Sequence, residues 1–337
     1  MPVFFCVKTI LKLGFIFPKS NIFIKSKISS TQLDEINSYD VIIVGGSYAG
    51  LSAAMTLGRS LRTVLIIDAN SPCNRTAPTA HNLLGFDGTP PDKIAEIAKA
   101  QVLKYHTVTY LNAMAVAVSG HENDFEVVTD SGLRLGAKKV LLATGVTDNL
   151  PEIPGIEECW GISVVHCPYC HGYEIANKKI GILTHGEPAF EMAKLIRNWS
   201  KDLVILLNGN DDLDENHRTW LEQKKIPIKS QTIKSVTHQD GMVKSVIFDD
   251  DSEELLEAIY IRSGISQQMD IPLQMGCEFD EHGFIIVDQN QKTNIPGMFA
   301  AGDNTTTTRT LSVAIAAGTV AGIHINKELI EENFDNE

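Results

Sequence analysis

Positive charge is scarce in this chain. Its 337 residues carry 29 Lys and Arg against 42 Asp and Glu, a formal net charge of -13. Such a surface repels phosphate backbones and excludes nucleic acid as a natural partner. Cysteine is sparse as well: Cys6, Cys73, Cys159, Cys167, Cys170 and Cys277. A chain this long buries enough apolar surface to need no disulfide framework, and only one cysteine pair stands close together. The first residues lack two things at once, with no acidic residue before Asp34 and no arginine before Arg59. The apolar stretch Val3 to Phe17 is too short and too interrupted by lysine to span a bilayer. Without arginine it does not read as a transit peptide. Without a leading basic segment and a small-residue cleavage site it does not read as a signal peptide. Residues 1–37 are therefore expected to be a disordered extension, with a targeting or membrane-surface role as the alternative. The chain is expected to be cytoplasmic and without firm membrane association.

What is present is α/β patterning. Tyr39 to Val44 is a short buried-strand run, Gly45-Gly46-Ser47-Tyr48-Ala49-Gly50 follows as a turn, and a small-residue helix leads to a second strand, Thr63 to Ile67. Gly45 permits the tight turn, Gly50 the close helix-strand packing, and the backbone N–H groups at the helix start face a pyrophosphate. Ser47 stands where a third glycine is usual, and Ala49 completes the helix start. Asp68, about twenty positions on, is placed to meet a ribose hydroxyl. Downstream, Ala143-Thr144-Gly145 ends a buried strand beside the cofactor. Gly302-Asp303 ends another before a long helix, where the carboxylate can accept from ribityl hydroxyls. An N-cap role for Asp303 is the plainer reading and is compatible with the first. These pieces together select FAD.

A second strand-turn-helix-strand unit runs from Lys179 to Leu207, and strands are expected again at Gly283 to Val287 and Met298 to Ala301. The fold class is thus α/β with two Rossmann-like domains, the second inserted into the first. The expected boundaries are an FAD-binding part over 38–148, an inserted NAD(P)-type domain over 149–264, a second FAD-binding part over 265–332, and a tail over 333–337.

Cys167-Pro168-Tyr169-Cys170 lies in the inserted domain. Two cysteines at this spacing can close a small disulfide, and one thiolate can be held at lowered pKa while the other exchanges with a substrate. A metal site using His166 and His171 is the alternative, but four ligands within six residues wrap a tetrahedron poorly and no distant second pair exists. No metal is expected; a purely structural disulfide also stays open. His171 is a candidate proton shuttle, against a plain hydrogen-bonded histidine.

With these motifs in order, the chain from Tyr39 to Leu329 resembles the low-molecular-weight thioredoxin reductase family. The resemblance implies FAD, a homodimer, rotation of one domain against the other, Cys170 facing the flavin and Cys167 meeting substrate. The stretch Cys167-Pro168-Tyr169-Cys170-His171-Gly172-Tyr173-Glu174 is more similar to the dithiol oxidase branch, which closes disulfides in small metabolites such as gliotoxin and holomycin; the reductases place an aspartate where His171 stands. The stretch from His81 and Asn82 to Gly88 resembles the same branch and by that likeness lines the flavin. Arg309-Thr310 replaces the family's arginine-glutamine near the flavin. The second nucleotide turn departs from the reductase pattern, reading Thr184-His185-Gly186-Glu187-Pro188-Ala189. Where the family holds the 2′-phosphate of NADPH with basic residues, Asn208, Gly209, Asn210, Asp211 and Asp212 stand. Arg197 or Arg218 could substitute for them. The expectation is an FAD-dependent oxidase of small dithiols passing electrons to oxygen or another acceptor, with NADPH or NADH binding impaired. A reductase of a thioredoxin-like protein is the alternative, and a non-catalytic flavin redox sensor is a third reading from another class.

Overall fold

The computed structural model describes residues 38–335; the N-terminal extension read from the sequence lies outside the described residues. The first sheet grows from strands buried on both faces, the pattern that requires helices above and below. Strand β1 (Ser38–Val44) pairs in parallel with β2 (Val64–Asp68), Val41 opposite Val64, and helix α1 (Tyr48–Arg59) crosses between them. Helix α2 (Pro91–Val102) leads to β3 (Val108–Asn112), parallel to β2. The apolar spacing suggests a helix over Ile94 to Tyr105; Pro91 opens α2 earlier, because proline is preorganised for the first helical turn. β4 (Ala115–His121), β5 (Asp124–Thr129) and β6 (Arg134–Leu142) continue as an antiparallel set. The sequence suggests two separate strands there, Arg134 to Leu135 and Lys139 to Ala143, but β6 is one strand. Its first half pairs with β5, and its second half pairs in parallel with the late strand Met298–Ala300.

The chain then crosses through β7 (Val146–Asn149) to short helix α3 (Ile156–Cys159), strand β8 (Val164–Val165) and helix α4 (Pro168–His171). The second sheet is all parallel. It contains β9 (Ile180–Leu183), β10 (Leu203–Leu206), β11 (Ile228–Lys229), β15 (Ala258–Ile261) and β8, in the order β11-β10-β9-β15-β8. Helices α5 (Gly186–Ile196) and α6 (Glu215–Gln223) belong to it, and a meander of β12 (Ile233–Gln239), β13 (Met242–Phe248) and β14 (Glu253–Leu255) flanks it. The return runs through β16 (Gly264–Gln267), which pairs antiparallel with β7, Gly264 opposite Asn149. The two crossings thus brace each other.

After helix α7 (Ile271–Gln274) the expected strand at Gly283 to Val287 does not form; the stretch contributes a single bridge, Phe279 to Ile285. Its backbone groups are spent elsewhere. Asp280 accepts from the N–H of His282 and of Phe284, and the Ile285 N–H donates to the Asn304 carbonyl. β17 (Met298–Ala300) then completes the first sheet, and helix α8 (Leu311–Asp335) closes the chain, running into the stretch read from sequence as a tail. By length and composition α8 could cross a membrane. One of its faces is nevertheless packed: a Cβ on Gly318 would fall 2.0 Å from the Ala49 carbonyl, and Ser52 Oγ donates to the Ile315 carbonyl at 2.8 Å. Lys139, fully buried on β6, ties the far end of α8 to the sheet through Glu122, Glu328 and Glu332.

Candidate functional site

A cleft of about 830 Å³ opens at the carboxyl ends of β1, β6 and β17, where open α/β sheets bind ligands. Its floor is the first glycine turn. Gly45 has φ +108, and a Cβ there would lie 2.2 Å from the Ala143 carbonyl oxygen. A Cβ on Gly46 would meet the Asp68 side chain at 2.8 Å, so this backbone and that carboxylate approach as closely as glycine permits. Ser47 takes the N-cap position of α1 with no side-chain capping bond, leaving its hydroxyl and the first N–H groups of the helix for a ligand. Gly50 does not line the cleft. It packs beneath Gly45, where a Cβ would fall 1.9 Å from the Gly45 carbonyl oxygen.

Asp68 ends β2 and accepts a hydrogen bond from the Tyr110 hydroxyl, with Lys99 Nζ 3.1 Å from the centre of the Tyr110 ring. Tyr110 and Lys99 were not anticipated from sequence; they come from β3 and α2. Along the cleft follow Ala49, His81, Asn82, Ala143, Thr144, Gly145, Gly302, Asp303 and Arg309, all lining it. Gly302 has φ +99. Asn304 holds the adjoining backbone by donating to the Leu142 carbonyl at 3.0 Å. Burial pushes the Asp303 carboxyl up, and Arg309 only partly counters it. Cys73 Sγ lies 3.7 Å from Asp303 Oδ2, and burial with that carboxylate pushes its thiol up to about 11, so it is a poor nucleophile.

Arg309 is itself clamped. Its guanidinium donates to both carboxylate oxygens of Asp148 on β7, at 2.8 and 2.9 Å, with both side chains almost fully buried. Ser263, just before β16, donates to the same carboxylate at 2.9 Å. The clamp joins both crossing segments to the loop before α8. No local motif announces it, because 161 residues separate the partners.

The redox pair forms the opposite wall. Cys167 sits at the N-cap position of α4 with Pro168 at its first turn, and the two sulfurs are joined in a disulfide with Cα atoms 5.3 Å apart. Cys170 and His171 line the cleft; Cys167 does not. His166 stacks on Trp160 with ring centroids 5.6 Å apart. Burial, with Arg309 adding to it, lowers its pKa to about 4. Burial also lowers that of His171, while the charge of Glu174 opposes the shift.

The second nucleotide turn carries an ion-pair contact of its own. Asp212 Oδ2 lies 2.8 Å from His185 Nδ1, and the carboxylate stands beside the start of α5, where a Cβ on Gly186 would fall 3.3 Å from the same oxygen. The carboxyl is consequently held below the ordinary range, chiefly by His185. An acidic side chain thus stands beside the start of α5, the end of a helix that favours anions. Of the two arginines that could substitute for the missing cluster, Arg218 is paired with Asp211, and Arg197 is the C-cap of α5, at the far end of that helix.

Comparison with known proteins agrees with this geometry. Residues 39–318 match the profile of the pyridine nucleotide-disulphide oxidoreductase family. The chain is 29% identical over 305 residues to thioredoxin reductase aclD of Aspergillus oryzae, covering 86% of this chain and 96% of that protein. Among solved structures, a putative thioredoxin reductase TrxB from Bacillus anthracis superposes with a TM-score of 0.84 at 31% identity, covering 88% of this chain and 99% of that one. The structure of HlmI also gives 0.84, at 29% identity, covering 89% of this chain and 95% of that one.

Proposed function

This chain belongs to the pyridine nucleotide-disulphide oxidoreductase family, and within it we propose that it oxidises small dithiols through Cys167 and Cys170. It is an FAD-dependent disulfide oxidoreductase, and the residues present suit that cofactor. Glycine at Gly45, Gly46 and Gly302 lets the turn pack closely against Ala143, Asp68 and Ala49, and the cleft runs from Asp68 to Cys170. Gly45, Gly46, Ser47 and Ala49 would hold the pyrophosphate, Asp68 a ribose, and Asp303 the ribityl chain. His81, Asn82, Thr144 and Arg309 would surround the flavin.

In this reading a substrate thiolate attacks Cys167 Sγ, and the S–S bond breaks to release Cys170 as thiolate. The second substrate thiol then attacks the substrate sulfur of the mixed disulfide. A substrate disulfide leaves, and the enzyme pair is reduced. FAD, when bound, would supply the two-electron sink needed to reclose the pair, with oxygen or another acceptor as the final oxidant. His171 takes up and releases the proton beside Cys170. The observation that carries the direction of flow is the Asp212 carboxylate in the second turn, which opposes a nicotinamide dinucleotide. The names of relatives such as aclD favour the reverse flow, reduction of a thioredoxin-like protein. A homodimer, which the resemblance implies, and a cytoplasmic location, expected from the sequence, complete the reading.

The test is anaerobic mixing of FAD-loaded protein with NADPH, NADH or a small dithiol while the visible flavin absorbance is followed. Bleaching by the dithiol alone, lost in Cys167→Ser, is expected. Prompt bleaching by either nucleotide would overturn the direction proposed.

A further inference from the structure

Asp68 enters the cleft already paired. Tyr110 on β3 stands opposite Ile66 of β2, two residues before Asp68, so the Tyr110 and Asp68 side chains leave the sheet on one face. The Tyr110 hydroxyl donates to Asp68 Oδ2, the oxygen that faces Gly46, where a Cβ would fall 2.9 Å from it. A carboxylate held by one oxygen in this way turns the other, Oδ1, to a ligand. Lys99 of α2 completes the line: its Nζ lies 3.1 Å from the centre of the Tyr110 ring. All three residues are half-buried and line the same end of the cleft. An ammonium on the ring face and a carboxylate on the hydroxyl polarise the phenol in the same direction, which strengthens its O–H as a donor. Burial raises the Tyr110 pKa and the bond to Asp68 raises it further, so the phenol keeps its proton; burial lowers that of Lys99, and the Asp68 charge opposes the shift.

We propose that Lys99 and Tyr110 are positioning residues that make the cleft selective for a dinucleotide flavin over a mononucleotide: they hold Asp68 ready to accept from the ribose of an adenosine half. The inference rests on FAD as the cofactor and goes beyond the ribose role of Asp68 itself. An adenosine laid over Asp68 strips water from the carboxylate. The ribose then satisfies Oδ1, and Oδ2 keeps a donor through Tyr110. The ammonium behind the ring offsets the charge that has lost its water. Without the phenol, binding would bury an acceptor with no partner, a loss of about tenfold or more in affinity. FMN carries no adenosine, covers none of these groups and gains nothing from them.

The test is calorimetric titration of the flavin-free full chain with FAD and, separately, with FMN, its fold checked by circular dichroism. Wild type is expected to bind FAD far more tightly than FMN. Tyr110→Phe keeps the ring and removes the donor, so FAD should weaken about tenfold while FMN affinity stays where it was. Lys99→Met keeps the stem and removes the cation, with a smaller loss for FAD of about threefold. Lys99→Arg, which keeps a cation over the ring, should restore the wild-type value. An unchanged FAD affinity in Tyr110→Phe overturns the proposal. Equal losses for FAD and FMN overturn it too, because they mark a tyrosine that only supports the fold. Both of those outcomes leave FAD standing as the cofactor, whereas a wild type that binds neither flavin overturns the cofactor and the proposal together.

Discussion

Replacing Arg309 by methionine strands Asp148 in the wall of the cleft. The two side chains are 9% and 6% exposed, and the guanidinium supplies two of the hydrogen bonds that the carboxylate accepts. Removing one partner of a buried pair costs about 3–5 kcal/mol, because the other charge stays desolvated. Ser263 still donates to Asp148, which places the expected loss near the lower end, about 3 kcal/mol. For a chain of this size each kcal/mol moves the midpoint of thermal unfolding by roughly 2 °C, so a drop of about 6 °C is expected by circular dichroism at pH 7. The sign of the pH dependence follows from the causes. In the wild type burial raises the Asp148 carboxyl, but Arg309 outweighs it and leaves the carboxyl below its ordinary range. The stability from the pair is thus present above the unfolded carboxylate value near about 4 and lost as pH falls through the lower folded value. In Arg309→Met burial dominates and the carboxyl rises, so the deficit is widest at neutral pH and narrows on acidification as Asp148 takes up its proton. A double-mutant cycle with Asp148→Asn should return a coupling of about 2 kcal/mol or more. A loss below about 1 kcal/mol at pH 7, or a deficit that widens in acid, refutes the reasoning.

Two further outcomes are expected. Gly45→Ala places a Cβ 2.2 Å from the Ala143 carbonyl at a φ of +108, so the purified variant should lose about 2 kcal/mol or more and retain less flavin, read from its visible-to-ultraviolet absorbance ratio. His166, with its pKa lowered to about 4, contributes stability that is full above the unfolded value near about 6.5 and is lost as pH falls toward about 4. His166→Phe should flatten that part of the stability profile; an undiminished acid dependence there would show that His166 does not carry it.

The locally coded parts of the protein were legible in the sequence. The turn from Gly45 to Gly50 reads directly because its constraints lie within one strand-turn-helix unit, and Asp68 follows from the length of that unit. The cysteine pair reads from spacing alone. Local reading failed where backbone groups had several possible partners. Gly283 to Val287 has the composition of a strand, yet Asp280 and Asn304 take its hydrogen bonds. β6 was divided because its two halves face different neighbours.

By itself the sequence determined the class of fold, the glycine turns, the redox pair and the loss of basic residues from the second nucleotide turn, since each depends on residues close in the chain. Cys170 lines the cleft, as the resemblance implies, but only the tertiary structure decided that Asp212 pairs with His185 beside the start of α5 and that Arg309 clamps both crossings through Asp148. Those arrangements depend on charges and hydrogen bonds between segments brought together by the crossing strands, and sequence spacing does not encode such distances.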